Sequence, residues 1–346
     1  MIKKIEHLIR FINKFIYAFE AEPIIKFKKA NTEVVNLLVN STYRKRKIIY
    51  YIIKRSPGAG LFSNFIYVLN HLKIANSCGY EAVVDMENFQ TIYNEKNKIK
   101  NTKNAWNYFF DNKKKINLKK IFKENNFIIT TNKFSKEFSH RIDNDEFRYL
   151  FNKYFKIKNE FISYSNNFYK KNLKGKILAI HLRGTSYKTS ANHPFPTTIE
   201  QSVNLISKIF RKYNYDKIFL CTEDLAYFEA IIKIFKEKVI FLKNTYKAYE
   251  DDAFNVYPRS FHRYKLGRDI LIEALLISKC DGFIFTTTNV SEFVRFLDKK
   301  NKINYYSIQN SFNSQNAYIA KWLWYYKNSF PTFMGGFKKK TYVKKS

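Results

Sequence analysis

Ile177-Leu178-Ala179-Ile180-His181-Leu182-Arg183-Gly184-Thr185-Ser186 is the stretch that decides the fold. Ile177 to Leu182 is apolar at every position but His181, the pattern of a strand in a parallel sheet. Arg183-Gly184 ends the run and opens a loop. Downstream come helix Thr198 to Tyr213, strand Lys217 to Cys221, helix Leu225 to Phe235 and strand Val239 to Leu242. Helix Arg268 to Lys279, strand Phe283 to Thr286, helix Ser291 to Lys299 and strand Tyr305 to Ile308 continue the alternation. This order specifies a doubly wound α/β domain, whose ligands sit at the carboxyl ends of its strands.

Upstream the same grammar recurs. Lys47 to Ile53 reads as a buried strand and Ser56-Pro57-Gly58-Ala59-Gly60 as a tight loop. Leu61 to Ser77 reads as a helix ended by Gly79, and Ala82 to Asp85 as a second strand. This is a βαβ unit. Residues 90–150 are rich in Lys and Asn, with helices expected around Trp106 to Phe110 and Phe147 to Phe155. The expected organisation is a basic amphipathic helical segment over 1–45, a Rossmann-like domain over 46–165 and a second over 166–315. An aromatic helix, Ala320 to Tyr326, and a basic tail from Lys338 fill 316–346. The fold class is α/β, with two Rossmann-like domains facing a central cleft.

The chain has 346 residues, enough for two domains, and 62 Lys and Arg against 29 Asp and Glu, for a net charge of +33. With 45% hydrophobic and 18% aromatic residues it is no disordered polycation. Three scattered cysteines (Cys78, Cys221, Cys280) exclude a disulfide framework and a cysteine-based zinc site. Lys, Asn, Ile, Phe and Tyr share A/T-rich codons, which supply much of the lysine excess; the other source is attraction to a polyanion. No apolar stretch is long enough to span a bilayer. Ile2, Ile5, Leu8, Ile9, Ile12, Phe15 and Ile16 fall at helical spacing with Lys and Arg elsewhere on the wheel. That segment is either a membrane-surface helix or one packed on the protein's own body.

Several segments carry chemistry. His181 and Arg183 alternate at a strand end and project to one side, where an arginine fork suits a diphosphate and Thr185 and Ser186 add hydroxyls. Arg259 to Asp269, with His262, Arg263 and Arg268, forms a basic run before a helix N-terminus. Thr287, Thr288, Asn289 and Ser291 sit between a strand and a helix, where they either hold phosphate or cap the helix. Thr222, Glu223 and Asp224 follow a strand and either meet a ribose or base or charge the start of the next helix. Gly58, Gly60 and Asn64 mark a sharp turn near the cleft. Asp143-Asn144-Asp145 and Asp251-Asp252 lie in polar stretches and read as solvated turns.

In this order the segments resemble the fucosyltransferase superfamily with the GT-B fold: the α1,6-, α1,2- and protein O-fucosyltransferases. His181 to Ser186 resembles its H-x-R-R-x-D motif, Thr222-Glu223-Asp224 its T-E-D strand end, and Gly267 to Leu276 with Ser278 to Asp281 its helix and L-S-x-C-D element. Pro57 to Asn64 is similar to its N-terminal glycine loop. The resemblance implies GDP-fucose as donor, inversion at the anomeric carbon, no cofactor and no metal. Arg183 would stabilise the departing diphosphate, His181 and Asp269 would meet the guanine and ribose, and Thr288 to Ser291 the phosphates. The motif's second Arg is Gly184 here and its Asp is Ser186, which leaves another GDP-sugar open as donor. His193 is the nearest group able to act as general base, with Asp85 and Glu223 as more distant options.

The reading is a cytoplasmic glycosyltransferase building a bacterial cell-surface polysaccharide or lipooligosaccharide. Its basic N- and C-terminal segments would favour the inner face of an anionic membrane, and nucleic acid is not the expected partner. The alternative from another class is a non-catalytic polyanion-binding α/β protein.

Overall fold

The computed structural model describes residues 48–57, 59–124, 127–130, 138–249, 253–338 and 342–345. The amphipathic segment 1–45, Gly58 and Asp251-Asp252 lie outside the described residues. The chain divides into two compact units, Met1–Phe161 with Phe254–Arg268, and Ile162–Ala253 with Asp269–Ser346. Both are α/β, each built on a parallel sheet.

The first unit starts with strand β1 (Tyr50–Ile53), helix α1 (Leu61–Ser77) and strand β2 (Glu81–Val84), the βαβ unit expected from sequence. Then come β3 (Phe110–Asn112), α2 (Leu118–Glu124), β4 (Phe127–Ile129), α3 (Asp145–Tyr154) and β5 (Phe155–Ile157). β1 is the centre of a three-stranded sheet in which Ile52 pairs with both Val83 and Ile129, all parallel. β3 and β5 form a separate antiparallel pair. The helix expected around Trp106 to Phe110 is only a single 3-10 turn, Ala105–Tyr108, because the chain straightens into β3 to meet β5. Phe65, Trp106, Phe110, Phe151 and Phe155 stack into the core that fixes this arrangement. Asn144 caps α3 through Phe147 N–H at 3.0 Å, while Asp143 and Asp145 pair with Arg141 and Arg148. Asp143-Asn144-Asp145 is therefore a capped turn, as its polar surroundings suggested.

Assignment of Phe254–Arg268 to the first unit departs from a second domain spanning 166–315 without interruption. The cause is aromatic packing: the Tyr264 ring stacks on Phe109 at 5.9 Å, and its N–H donates to Glu95 at 2.9 Å.

The second unit takes in α4 (Asn159–Asn172) from Ile162 onward, then β6 (Ile177–Leu182), α5 (Ile199–Lys212), β7 (Lys217–Thr222), α6 (Leu225–Phe235) and β8 (Val239–Ile240). It continues through α7 (His262–Ile277, from Asp269 onward), β9 (Gly282–Phe285), α8 (Asn289–Leu297), β10 (Asn304–Gln309), α9 (Ala317–Ser329) and β11 (Tyr342–Lys345). The sheet order is β11-β10-β9-β6-β7-β8, parallel except for β11. The segment read as a basic tail thus supplies an edge strand. Every residue of β6 is buried, and a fully buried Leu or Ile side chain contributes about 1.5–3 kcal/mol. Leu178, Ile180 and Leu182 face Leu205, Ile206 and Ile209 of α5. His181, on the alternate face, looks the other way. Strand order reverses at β6, with β7 and β8 added on one side and β9 and β10 on the other, and this is the switch point at which such sheets bind ligands.

Candidate active site

The site grows from the ends of β6, β7 and β9. His181 is buried, in register with Cys221 of β7 and Phe285 of β9. Burial, then the positive charge of Arg183, push its pKa down to about 3, so the imidazole is neutral. Its Nδ1 has no hydrogen-bond partner among the described residues. Arg183 leaves the strand with its side chain 28% exposed. Its guanidinium lies 4.7 Å over the Tyr187 ring, Nη2 reaches Ser186 Oγ at 3.3 Å, and Nε stands 3.5 Å from the Glu223 carboxylate. The fork is oriented before any ligand arrives, which lowers the ordering cost of binding an anion.

Asp224 organises this loop from below. It is fully buried, accepts from Thr185 N–H at 3.2 Å and Lys188 Nζ at 2.7 Å, and caps α6 through Ala226 and Tyr227. Thr222 Oγ1 accepts from Asp224 N–H, and Thr185 Oγ1 donates to Glu223 at 2.7 Å. Thr185, Thr222 and Asp224 thus bond within the frame, and for Asp224 the helix-start alternative is the one seen; the Glu223 side chain stays 32% exposed. Gly184 has a steric reason. A Cβ there would overlap the Asp224 carboxylate and stand 2.6 Å from Asp224 Cβ.

At the end of β9, Thr288 and Ser291 form a reciprocal capping box for α8. Ser291 is buried and Thr288 nearly so, so capping is what these hydroxyls do. Thr287 is exposed and Asn289 half-buried at the same helix start, the groups of this run left facing outward.

The basic run behaves differently. The helix expected from Arg268 begins at His262, so Arg263, Arg268 and Asp269 lie along its flank instead of in a loop before its N-terminus. Gly267 is a site of close approach: a Cβ there would overlap the Phe109 ring. Arg259 Nε donates to the buried His262 Nδ1 at 3.2 Å, and Arg263 lies 5.1 Å over Tyr257. His262, Arg263 and Arg268 belong to the first unit and Asp269 to the second. Of the run, Arg259 alone among the arginines precedes the helix start; Arg263 lies in its first turn and Arg268 further along.

One residue escaped the sequence reading. Glu273 lies one turn beyond Asp269, both buried. Burial, opposed by Lys247 and helped by Asp269 and Glu223, pushes its carboxyl up to about 8. Its charge acts in turn on Cys221, the register partner of His181, and adds to burial in raising that thiol's pKa. A lone carboxylate within Ile270 to Ile277, otherwise all Ile, Leu and Ala, was the available signal.

His193 is exposed, and its ring meets Tyr187 edge-on at 4.9 Å. Its Nδ1 lies 2.8 Å from Ala191 O. A carbonyl only accepts, so the neutral ring carries its proton on Nδ1 and leaves the Nε2 lone pair free to take one. Beside this loop a pocket of about 450 Å³ is lined by Lys188, Tyr227, Trp324 and Phe330, with Lys188 held 5.5 Å over Tyr227 and 5.1 Å over Trp324. In the first unit, Asn64 is buried and accepts from Ala59 N–H, while Gly60 has open space where a Cβ would be. Asp85 is buried and accepts from Glu87 and Asn88 within its own turn. Among the described residues no three His, Cys, Asp or Glu side chains group to hold a metal ion, and no helix is long and apolar enough to cross a membrane.

No family model matches the chain, and no curated protein does. Among solved structures it is similar to the fucosyltransferase NodZ from Bradyrhizobium: 15% identity over 76% of this chain and 96% of that one, with a TM-score of 0.49. A NodZ α1,6-fucosyltransferase soaked with GDP-fucose is similar at 17% identity, over 77% and 96%, with a TM-score of 0.49. POFUT1 in complex with GDP is similar at 10% identity, over 76% and 98%, with a TM-score of 0.42.

Proposed function

We propose that the chain is an inverting, metal-independent glycosyltransferase that takes a sugar from a GDP-sugar, fucose by its motif resemblance, and transfers it to a glycan acceptor. The observation that carries this reading is Arg183, pre-oriented at the end of β6 beside the switch point of a parallel sheet. The sugar's C1–O bond breaks, its electron pair passes to the β-phosphate oxygen, and the Arg183 guanidinium neutralises that charge. The acceptor oxygen attacks C1 from the opposite face while its proton passes to His193 Nε2. Thr287 and Asn289, at the α8 start, would face the phosphates. The acceptor is a bacterial cell-surface polysaccharide or lipooligosaccharide, and the setting is cytoplasmic.

A thermal-shift screen with GDP, UDP, CDP and ADP tests this. Stabilisation by GDP alone supports the reading; no stabilisation by any nucleotide ends it. The second reading, a polyanion-binding α/β protein, draws on an open concavity of about 720 Å³ in the first unit. Lys100, Lys113, Lys114, Lys115, Lys156 and Lys158 line it against the single carboxylate of Asp111. It requires nucleic-acid affinity that falls steeply with salt.

A further inference from the structure

We infer that the exposed face of α9, with the turn that follows it, docks on an anionic lipid bilayer. Half of the large hydrophobic side chains that the described residues leave exposed lie between Phe312 and Met334. Phe333 is 88% exposed, Tyr318 79% and Trp322 73%. Tyr318 and Trp322 are four residues apart, so they share one side of the helix, while Ala320 and Trp324 bury the other. Trp324 pins that buried side by donating Nε1–H to Pro196 O at 3.0 Å.

The turn beyond the helix is built. Phe337 N–H donates to Lys327 O at 2.8 Å, Lys327 Nζ to Gly335 O at 2.8 Å, and Tyr326 Oη to Met334 O at 2.8 Å. These bonds fold the segment back on α9 and hold Phe333 and Met334 at its outer tip. An exposed aromatic platform of this size on a soluble surface marks an interaction site. Its chemistry selects the partner. Lysine is the only charged residue type after Asp298, and no Asp or Glu follows it in the sequence. Tyr and Trp rings settle at the headgroup boundary, and a segment whose charges are all lysine is drawn to anionic headgroups and repels a basic surface. The codon usage that enriches Lys, Phe and Tyr does not enrich Trp, yet two of the chain's three Trp sit on this helix. Docking here is independent of the donor reading.

The test uses the full chain with vesicles of pure phosphatidylcholine and of phosphatidylcholine with a quarter phosphatidylglycerol. Trp106 and Trp324 are buried and Trp322 is not, so a blue shift of tryptophan emission on vesicle addition reports Trp322. Expected are cosedimentation with the anionic vesicles only, that blue shift, and at least tenfold weaker binding for a Trp322→Ser, Phe333→Ser variant whose circular dichroism and thermal midpoint match the parent. Undiminished binding by this variant, no binding by the parent, or a parent dimer in sedimentation velocity that the variant abolishes would each overturn the inference.

Discussion

Two basic stretches of this chain read alike in sequence and diverge in the fold. Arg183 to Lys188 sits where a parallel strand ends at the reversal of strand order, and the Arg183 guanidinium is framed by a ring, a hydroxyl and a carboxylate. Arg259 to Arg268 carries more positive charge, yet it runs into and along a helix, its Arg259 bonded to His262 and its Tyr264 stacked on Phe109. Density of charge did not distinguish them; position relative to the strand ends did. The lesson is that local geometry separates arginines that charge density does not: Arg183 is oriented at a strand end, while Arg259 is bonded to the first residue of the helix it precedes.

The strongest way to break this contrast is Arg183→Ala. It should lower donor turnover about 10³-fold with unchanged circular dichroism; a kcat for GDP-sugar hydrolysis or transfer near the parent's would place the chemistry elsewhere. Asp224→Ala comes next. It strips Lys188 of its buried partner and α6 of its cap, and should cost about 3–5 kcal/mol in denaturant unfolding. His193→Ala should reduce kcat about 10²-fold, with KM for the donor little changed. Glu273→Gln sharpens the picture through pH. The Glu273 carboxyl is held at about 8 in the fold against an ordinary 4.5, so between these values the folded state keeps a proton that the unfolded chain has released. Stability therefore declines as pH rises from about 4.5 to about 8 and levels off above. The Gln variant should flatten that decline in thermal midpoints. The smallest effect belongs to Arg259→Ala: about 1 kcal/mol of stability and no change in kcat. Lost turnover in that variant, with the fold intact, would erase the distinction between the two stretches.

Much of the second unit was legible because its strands are apolar and bounded by local signals. β6 and α6 match their expected limits, and α5 starts at its Thr198 cap with a full capping box. The first unit was harder past β2. β3 and β5 are three residues each and exist only through pairing with one another across more than forty residues of chain, a contact no local pattern announces. β11 depends in the same way on β10. At the site, the residue types of Arg183 and His181 pointed to their place, but the sequence did not separate hydroxyls and carboxylates that line a site from those that frame it. Thr288, Ser291 and Asp224 look like ligands by composition and are caps by geometry. Asp281, in the segment resembling L-S-x-C-D, likewise holds the start of β6 through Ile177 N–H at 2.8 Å.

Gly184 closes off a route through sequence space. The motif it resembles carries arginine at this position, yet here the space for any side chain is filled by Asp224. A lineage cannot cross from one form to the other by a single step, since Gly184→Arg alone would displace the cap of α6 and the partner of Lys188. Positions 184 and 224 should therefore vary together among descendants of a common ancestor. An engineer seeking a different donor must likewise rebuild the pair, moving the helix cap elsewhere before a second guanidinium can enter.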